Sequence, residues 1–281
     1  MALRQALTAV FALATLAATV TAGRAAGSAA PAFAPLQATD TEVSANWAGY
    51  VVTAPSTTYT SVTSTWKQPS VTCSATDAGS SSAFWVGLGG YAQSSQALEQ
   101  VGTSADCDLS GRPSYYAWYE LVPAAAVTVK NLKILPGDVV TTSVNVLGGT
   151  TIEFQVKDRT RGTTFTTKQP FASPDLTSAE WIAEAPSDCS SFRCRAIALS
   201  NFGAVDFSRI AALGNGTGGT LTANPGWTTT GIKLVPDGAR GFLPGRDRFT
   251  GFSASTAGAT PGDATSDGRG FTVQWTADAS S

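Results

Sequence analysis

From Trp47 to Thr276 the chain reads as short runs in which apolar and polar residues alternate, broken by turn residues roughly every 8 to 12 positions. Alternation with a period of two puts successive side chains on opposite faces of an extended strand, whereas a helix needs apolar residues three and four apart. Trp47–Thr53, Ser61–Gln68, Tyr115–Leu121, Val139–Leu147, Thr151–Asp158 and Phe271–Thr276 are such runs. Pro136-Gly137-Asp138, Gly148-Gly149 and Arg161-Gly162 punctuate them. No segment carries a convincing amphipathic helix and no internal repeat is present. Many short strands at this spacing must close on one another, so an all-β sandwich or barrel is expected.

One segment is open between two readings. Ser173-Pro174-Asp175 can cap a helix running through Leu176-Thr177-Ser178-Ala179-Glu180-Trp181-Ile182-Ala183-Glu184. Read as a strand, the same residues place Glu180, Ile182 and Glu184 on one face, with the two glutamate Cα atoms about 13 Å apart. Residues 237–270 are rich in Gly, Ala, Asp and Thr and read as a long surface loop.

The chain opens with Arg4, an apolar run from Ala6 to Ala22 and small residues at Val20-Thr21-Ala22. A basic start, a short apolar stretch and a small-x-small end describe a signal peptide, here residues 1–22. Residues 23–40, mostly Ala, Gly, Ser and Pro, read as a short propeptide or linker. Residues 41–281 then form a single domain, expected to be secreted, monomeric and free of the membrane once the leader is removed. Charged residues are only 14% of the chain and the net charge is −2, so neither nucleic acid nor an anionic membrane surface is an expected partner.

Four cysteines in an exported chain point to two disulfides. Of the three connectivities, Cys73–Cys107 with Cys189–Cys194 is favoured, the second closing the tight loop Cys189-Ser190-Ser191-Phe192-Arg193-Cys194. No C-x-x-C spacing suggests a metal site, and no cofactor is expected.

The chain contains no histidine. Histidine is the commonest general base and metal ligand, so Ser-His-Asp and Cys-His hydrolases, H-E-x-x-H metalloproteases and imidazole-ligated zinc are all excluded. Ser64-Thr65-Trp66-Lys67 matches S-x-x-K, but it lies in a strand-like run where Ser and Lys do not meet, and no K-T-G accompanies it. What remains is a set of acids and amides among aromatics. Gln96, Leu98, Gln100 and Gly102 share one face of a run, and Tyr116, Trp118 and Glu120 share a face of the next.

Five motifs, in order, carry a resemblance to a known family. Ser44-Ala45-Asn46-Trp47-Ala48-Gly49 is like S-N-W-x-G, and Trp85-Val86-Gly87-Leu88-Gly89-Gly90 is like W-V-G-I-D-G. Leu98-Glu99-Gln100-Val101-Gly102 is like L-Q-T-G, and Tyr116-Ala117-Trp118-Tyr119-Glu120 is like D-A-W-Y-E, with the turn Pro136-Gly137-Asp138 after it. Ala179-Glu180-Trp181-Ile182-Ala183-Glu184 is like A-E-[WF]-I-x-E. Together they resemble the glutamic peptidases, the scytalidoglutamic and aspergilloglutamic type also called eqolisins.

That resemblance implies the strand reading of 179–184 and a two-sheet antiparallel β-sandwich of jelly-roll, lectin-like form, with the site on its concave face. It implies an acid endopeptidase acting on polypeptides by direct water attack, with Glu184 as general base and acid and Gln100 stabilising the oxyanion. Trp47, Trp85, Tyr116, Trp118 and Glu120 are the expected substrate-binding residues. Pro123 to Asn131 corresponds to a hairpin flap over the cleft. Gly89 and Tyr116 depart from the pattern, standing where fungal members carry Asp. Two other classes compete: a secreted jelly-roll glycosidase using Glu120 and Glu184, and a non-catalytic carbohydrate-binding sandwich.

Overall fold

Each strand of a two-layer β fold has at least one face to bury, and the alternating runs supply that face. The computed structural model describes residues 41–190, 193–236, 249–251 and 256–278. The expected leader (1–22), the linker (23–40) and the start of the 237–270 segment lie outside the described residues.

In chain order the strands are β1 (Thr41–Ser44), β2 (Trp47–Thr53), β3 (Tyr59–Lys67), β4 (Ala83–Gly89), β5 (Leu98–Cys107) and β6 (Pro113–Val122). They continue with β7 (Val127–Lys133), β8 (Val139–Leu147), β9 (Thr151–Asp158), β10 (Thr163–Pro170), β11 (Ser178–Glu184), β12 (Ser187–Ser190) and β13 (Arg193–Ala196). The last are β14 (Ala204–Gly214), β15 (Thr217–Gly219), β16 (Thr228–Leu234), β17 (Phe249–Gly251), β18 (Gly258–Pro261) and β19 (Gly270–Thr276). The one helical turn among the described residues is a 3₁₀ turn at Ala75–Asp77.

One antiparallel path runs β10-β9-β8-β3-β14-β19-β18-β16-β2-β11-β4-β5-β6-β7, with β15 beside β14 and β1 parallel to β16. The two layers of the sandwich are therefore the two halves of one continuous sheet folded across itself. Side chains cross between the halves. The Trp66 indole of β3 donates to Thr103 Oγ1 of β5 at 3.1 Å, and Trp181 of β11 donates to the Thr63 carbonyl of β3 at 2.9 Å. Tyr119 of β6 stacks on Phe154 of β9 with ring centroids 5.2 Å apart. The interior joins Tyr50, Trp66, Phe84, Val101, Phe154, Trp181 and Phe207 in one apolar cluster. A second cluster of Trp47, Val51, Ala83, Trp85, Leu98, Trp118, Ile182 and Ile232 lies on the opposite face of the β16-β2-β11-β4-β5-β6 half.

Turn chemistry sets the hairpins. The β8–β9 connection uses Gly148 and Gly149, both at positive φ, where side-chain-bearing residues are strained. The ambiguous segment is a strand: β11 pairs with β2 on one side and β4 on the other, and all seven of its residues are buried. Central position and burial on both faces decide in favour of the strand over the Ser-Pro-Asp capping signal, since a helix there would leave β2 and β4 without their ladder.

The 237–270 segment departs from its reading as a loop throughout. It contributes β17, which pairs in parallel with β13, and β18, which links β16 to β19. Strands of three or four residues give too little alternation to be read from sequence. Cys73 and Cys107 form a disulfide. Cys189 and Cys194 stand opposite each other in the β12–β13 register, but their side chains, and so the expected second disulfide, lie outside the described residues.

Gly102 shows how closely the sheet is built. It lies in register between Trp85 and Trp118, and a Cβ there would stand 2.2 Å from the Phe84 carbonyl oxygen and 2.6 Å from Trp85 Cβ. Gly102→Ala should therefore lower stability by about 1–3 kcal/mol, as overpacking does. Chemical denaturation of the variant reads this directly, and an unchanged midpoint would show that the strand has room to yield.

Candidate active site

Register places the functional side chains in three rows across β11, β4, β5 and β6. The first is Glu180, Gly87, Gln100 and Glu120; the next is Ile182, Trp85, Gly102 and Trp118; the third is Glu184, Ala83, Ser104 and Tyr116. Trp47 of β2 stands opposite Glu184. Gln100 and Glu184, from the first and third rows, face one cleft of about 900 Å³. Trp47, Trp118, Tyr116, Glu120 and residues 122–126 of the β6–β7 turn also line it.

Glu184 is held by nitrogen donors from one neighbouring strand and the turn before the other. Asn46 Nδ2 donates to Oε1 at 3.1 Å and Trp85 Nε1 donates to Oε2 at 2.7 Å. The Trp47 indole is a further influence that favours the ionised form of this carboxyl. Asn46 is oriented in turn: Ser44 Oγ donates to Asn46 Oδ1 at 3.0 Å and accepts the backbone N–H groups of Asn46 and Trp47. The rings of Trp47 and Trp85 meet edge to face with centroids 4.9 Å apart. Burial, followed by the Glu120 charge, pushes the Glu184 pKa up to about 8, against the pull of Trp85, Trp47 and Asn46.

Gln100 donates from Nε2 to Glu120 Oε2 at 2.6 Å, directly across the β5–β6 register. Its Oε1 is buried without a protein partner, as is Trp118 Nε1. Burial raises Glu120 to about 7 while the Gln100 amide opposes that rise.

The expected residues fall into groups. Gln100, Glu184, Trp47, Tyr116, Trp118 and Glu120 meet at one cleft. Trp85 does not: it is wholly buried beneath it, and its polar atom is committed to Glu184. The motif resemblance named Trp85 as a substrate-binding residue, and nothing local in the sequence shows that it lies wholly buried. Glu180 shares a row with Gln100, yet it is wholly buried and is not among the cleft-lining residues. Among the two glutamates of the β11 motif, Glu184 is the one exposed to the cleft.

Three further residues join the site. Asn46 lay in the first quoted motif, between the serine that orients it and the tryptophan beside it. Ser81 and Asp106 sit farther along the cleft, where Asp106 accepts hydrogen bonds from Ser81 Oγ and Tyr116 Oη. Continuing the Gln100 face of β5 by two-residue steps reaches Asp106, so alternation alone could have found it.

A sequence profile of the peptidase A4 family matches residues 45–234, which span every one of these strands. The chain belongs to the peptidase A4 family. Its fold is also that of solved glutamic peptidases. Scytalido-glutamic peptidase, crystallised with a peptide-based transition state analogue, is 19% identical with a TM-score of 0.62, over 83% of this chain and 98% of that one. SCP-B, an eqolisin crystallised with a tripeptide, is 18% identical with a TM-score of 0.60, over 83% and 98%. Aspergilloglutamic peptidase from Aspergillus niger is 24% identical with a TM-score of 0.53, over 70% and 99%. No curated protein matches the sequence. The chain is thus a glutamic peptidase, a hydrolase of polypeptides.

The glutamic peptidase buries more carboxyls than its active site uses. Glu99 is raised to about 9 and Glu180 well above its usual range, both chiefly by burial. A folded-state pKa above the unfolded value means that the native state holds more protons. Stability is then fully present below about pH 4.5 and lost as pH rises through the folded values of about 7 for Glu120, 8 for Glu184 and 9 for Glu99. The lowered groups, Asp108 and Asp267, are exposed and act only below about pH 4. Urea midpoints should therefore fall between pH 4.5 and pH 8, by on the order of a few kcal/mol. A midpoint that holds or rises over that range would contradict the burial of these groups.

Proposed function

We propose that this glutamic peptidase is a secreted endopeptidase working in acid, with Glu184 moving the proton and Gln100 stabilising the oxyanion. One observation carries the reading. Glu184 is the cleft carboxyl that receives N–H donors from both Asn46 and Trp85, and Gln100 is the one carboxamide among the cleft-lining residues.

The chemistry follows from what each group can do. In its ionised form, which is the minor form in acid because burial raises the carboxyl, Glu184 takes a proton from a water in the cleft, and the water oxygen bonds to the scissile carbonyl carbon. The carbonyl electrons move onto its oxygen. A carboxamide has two N–H donors; Glu120 holds one of those on Gln100, which orients the other toward the developing oxyanion. When the tetrahedral intermediate collapses, the C–N bond breaks and the leaving nitrogen takes the proton from Glu184. Acid and amine products result, and the carboxylate is restored.

Opposed influences on Glu184 suit both halves of that cycle. Burial favours the protonated form and Asn46, Trp85 and Trp47 favour the ionised one, so the group can both accept and return a proton. Glu120 acts here as the positioning residue of Gln100. Trp47, Trp118 and Tyr116 offer aromatic surface to the peptide. The unpartnered Gln100 Oε1 and Trp118 Nε1 are polar atoms that a substrate backbone can satisfy. Residues 123–126 cover the cleft as an apolar flap. A glycosidase reading would leave Gln100 without a role. The leader at 1–22 supports export.

Glu184→Gln and Gln100→Ala should each lower casein hydrolysis at acid pH by at least about 10²-fold while the melting temperature stays near that of the parent. Pepstatin should leave the parent uninhibited, because no aspartic dyad is involved. Full activity in a folded Glu184→Gln protein would sink the assignment.

Asn46→Ala removes a donor that favours ionised Glu184, so the base should become available only at higher pH. The acid limb of the kcat/KM profile should shift upward, with kcat reduced about tenfold at the acid end. A uniform loss across all pH values would instead mean that Asn46 serves only the fold.

A further inference from the structure

Asp106 lies in the cleft yet has no part in the proton transfer. Its carboxylate is held rigidly. Ser81 Oγ donates at 2.5 Å to Oδ1 and Tyr116 Oη donates at 2.8 Å to Oδ2. An ionised carboxylate offers about four acceptor positions, so capacity for one more donor remains on the cleft side. The strand end beneath it is fixed as well, because the next residue, Cys107, is disulfide-bonded to Cys73.

The surroundings define what that donor is. Asp106, Asp108, Glu120 and Glu184 line the cleft, and no lysine or arginine does so among the described residues. Burial raises the Asp106 carboxyl above the ordinary aspartate value, so its charged form is favoured by a cation beside it, which satisfies both charge and hydrogen bond. Beside Asp106 on the rim stands Leu109, an apolar side chain that is 90% exposed. A carboxylate floor with an apolar rim fits a side chain that has a methylene stem and a cationic head.

We infer that Ser81, Asp106, Tyr116 and Leu109 form a specificity subsite for a lysine or arginine side chain of the substrate, near the bond cleaved. This rests on the peptidase reading above. The position follows from the sheet. Ser104 shares a row with Glu184 two strands away, and Asp106 is the next same-face residue outward. Strand and residue spacings put the two carboxyl-bearing Cα atoms about 12 Å apart, three to four residues of extended peptide. Tyr116 plays two parts, its ring lining the cleft and its hydroxyl fixing Asp106.

Internally quenched peptides of one sequence test this, with lysine, Nε-acetyl-lysine or norleucine placed in turn at each of about four positions on either side of the cleaved bond. At one of these positions the parent enzyme should cleave the lysine peptide at least about tenfold better in kcat/KM than either neutral peptide. Asp106→Asn should bring that ratio close to one, and Tyr116→Phe should reduce it in part. Because the readout is a ratio within one protein, partial loss of folded enzyme does not alter it. The acetyl-lysine comparison in the parent stands even if no variant folds. Equal cleavage of all three peptides at every position overturns the subsite and leaves the peptidase reading intact. Cleavage of none of them overturns both.

Discussion

The structure depends on one buried acid at the centre of a sheet. Glu184 ends β11, a strand paired on both sides, so water can meet its carboxyl only from the cleft. A carboxylate in that position is tolerable only with donors close by, and these come from the neighbouring strands: Asn46 just before β2, and Trp85 from β4. The register of three strands is thereby tied to one side chain. A one-residue slip of β4 would turn Trp85 into the interior and take its N–H away from Glu184. The Ser44–Asn46 bonds extend the same constraint to the chain entering β2. Fold and chemistry share their most expensive contact.

That economy explains features that seem unrelated in the composition. Histidine is absent, and no step of the proposed cycle needs an imidazole; in acid a histidine would be charged and of little use as a base. Few residues are charged, and Glu99 and Glu180 are buried outside the proton transfer, where they are neutral in acid and costly above it. A protein built this way gives up stability at neutral pH in exchange for a carboxyl that binds and releases a proton in a dry cleft.

Much of this was legible in the sequence, and the rest failed for identifiable reasons. Alternation marked most of the long strands and put Gln100, Glu120 and Trp118 on the faces they occupy, because a half-buried strand writes its burial into a period of two. Strand β11 was harder, since it is buried on both faces and its glutamates break the apolar run. Only the motif resemblance chose strand over helix and Glu184 over Glu180. The order of the sheet could not be read: β2 pairs with β11 across more than a hundred residues of chain, and nothing local records that partnership. Strands β17 and β18 were too short to signal themselves. Trp85, named for substrate contact by the resemblance, is buried outside the cleft lining, because a motif match carries no information on depth.

The departures from the family pattern gain a physical sense once the cleft is seen along β5. That strand carries Gln100 near one end and Asp106 near the other, on one face, so a single element sets the spacing between the amide and the carboxyl. Tyr116 stands opposite Ser104 on the next strand, and its hydroxyl donates to Asp106. An ionised aspartate at 116 could not donate; it would place a second negative charge against the first and push one of them to hold a proton. Tyrosine at 116 and aspartate at 106 are therefore a coupled choice. With tyrosine at 116, a hydroxyl neighbour holds the β5 carboxyl in place without competing for its charge.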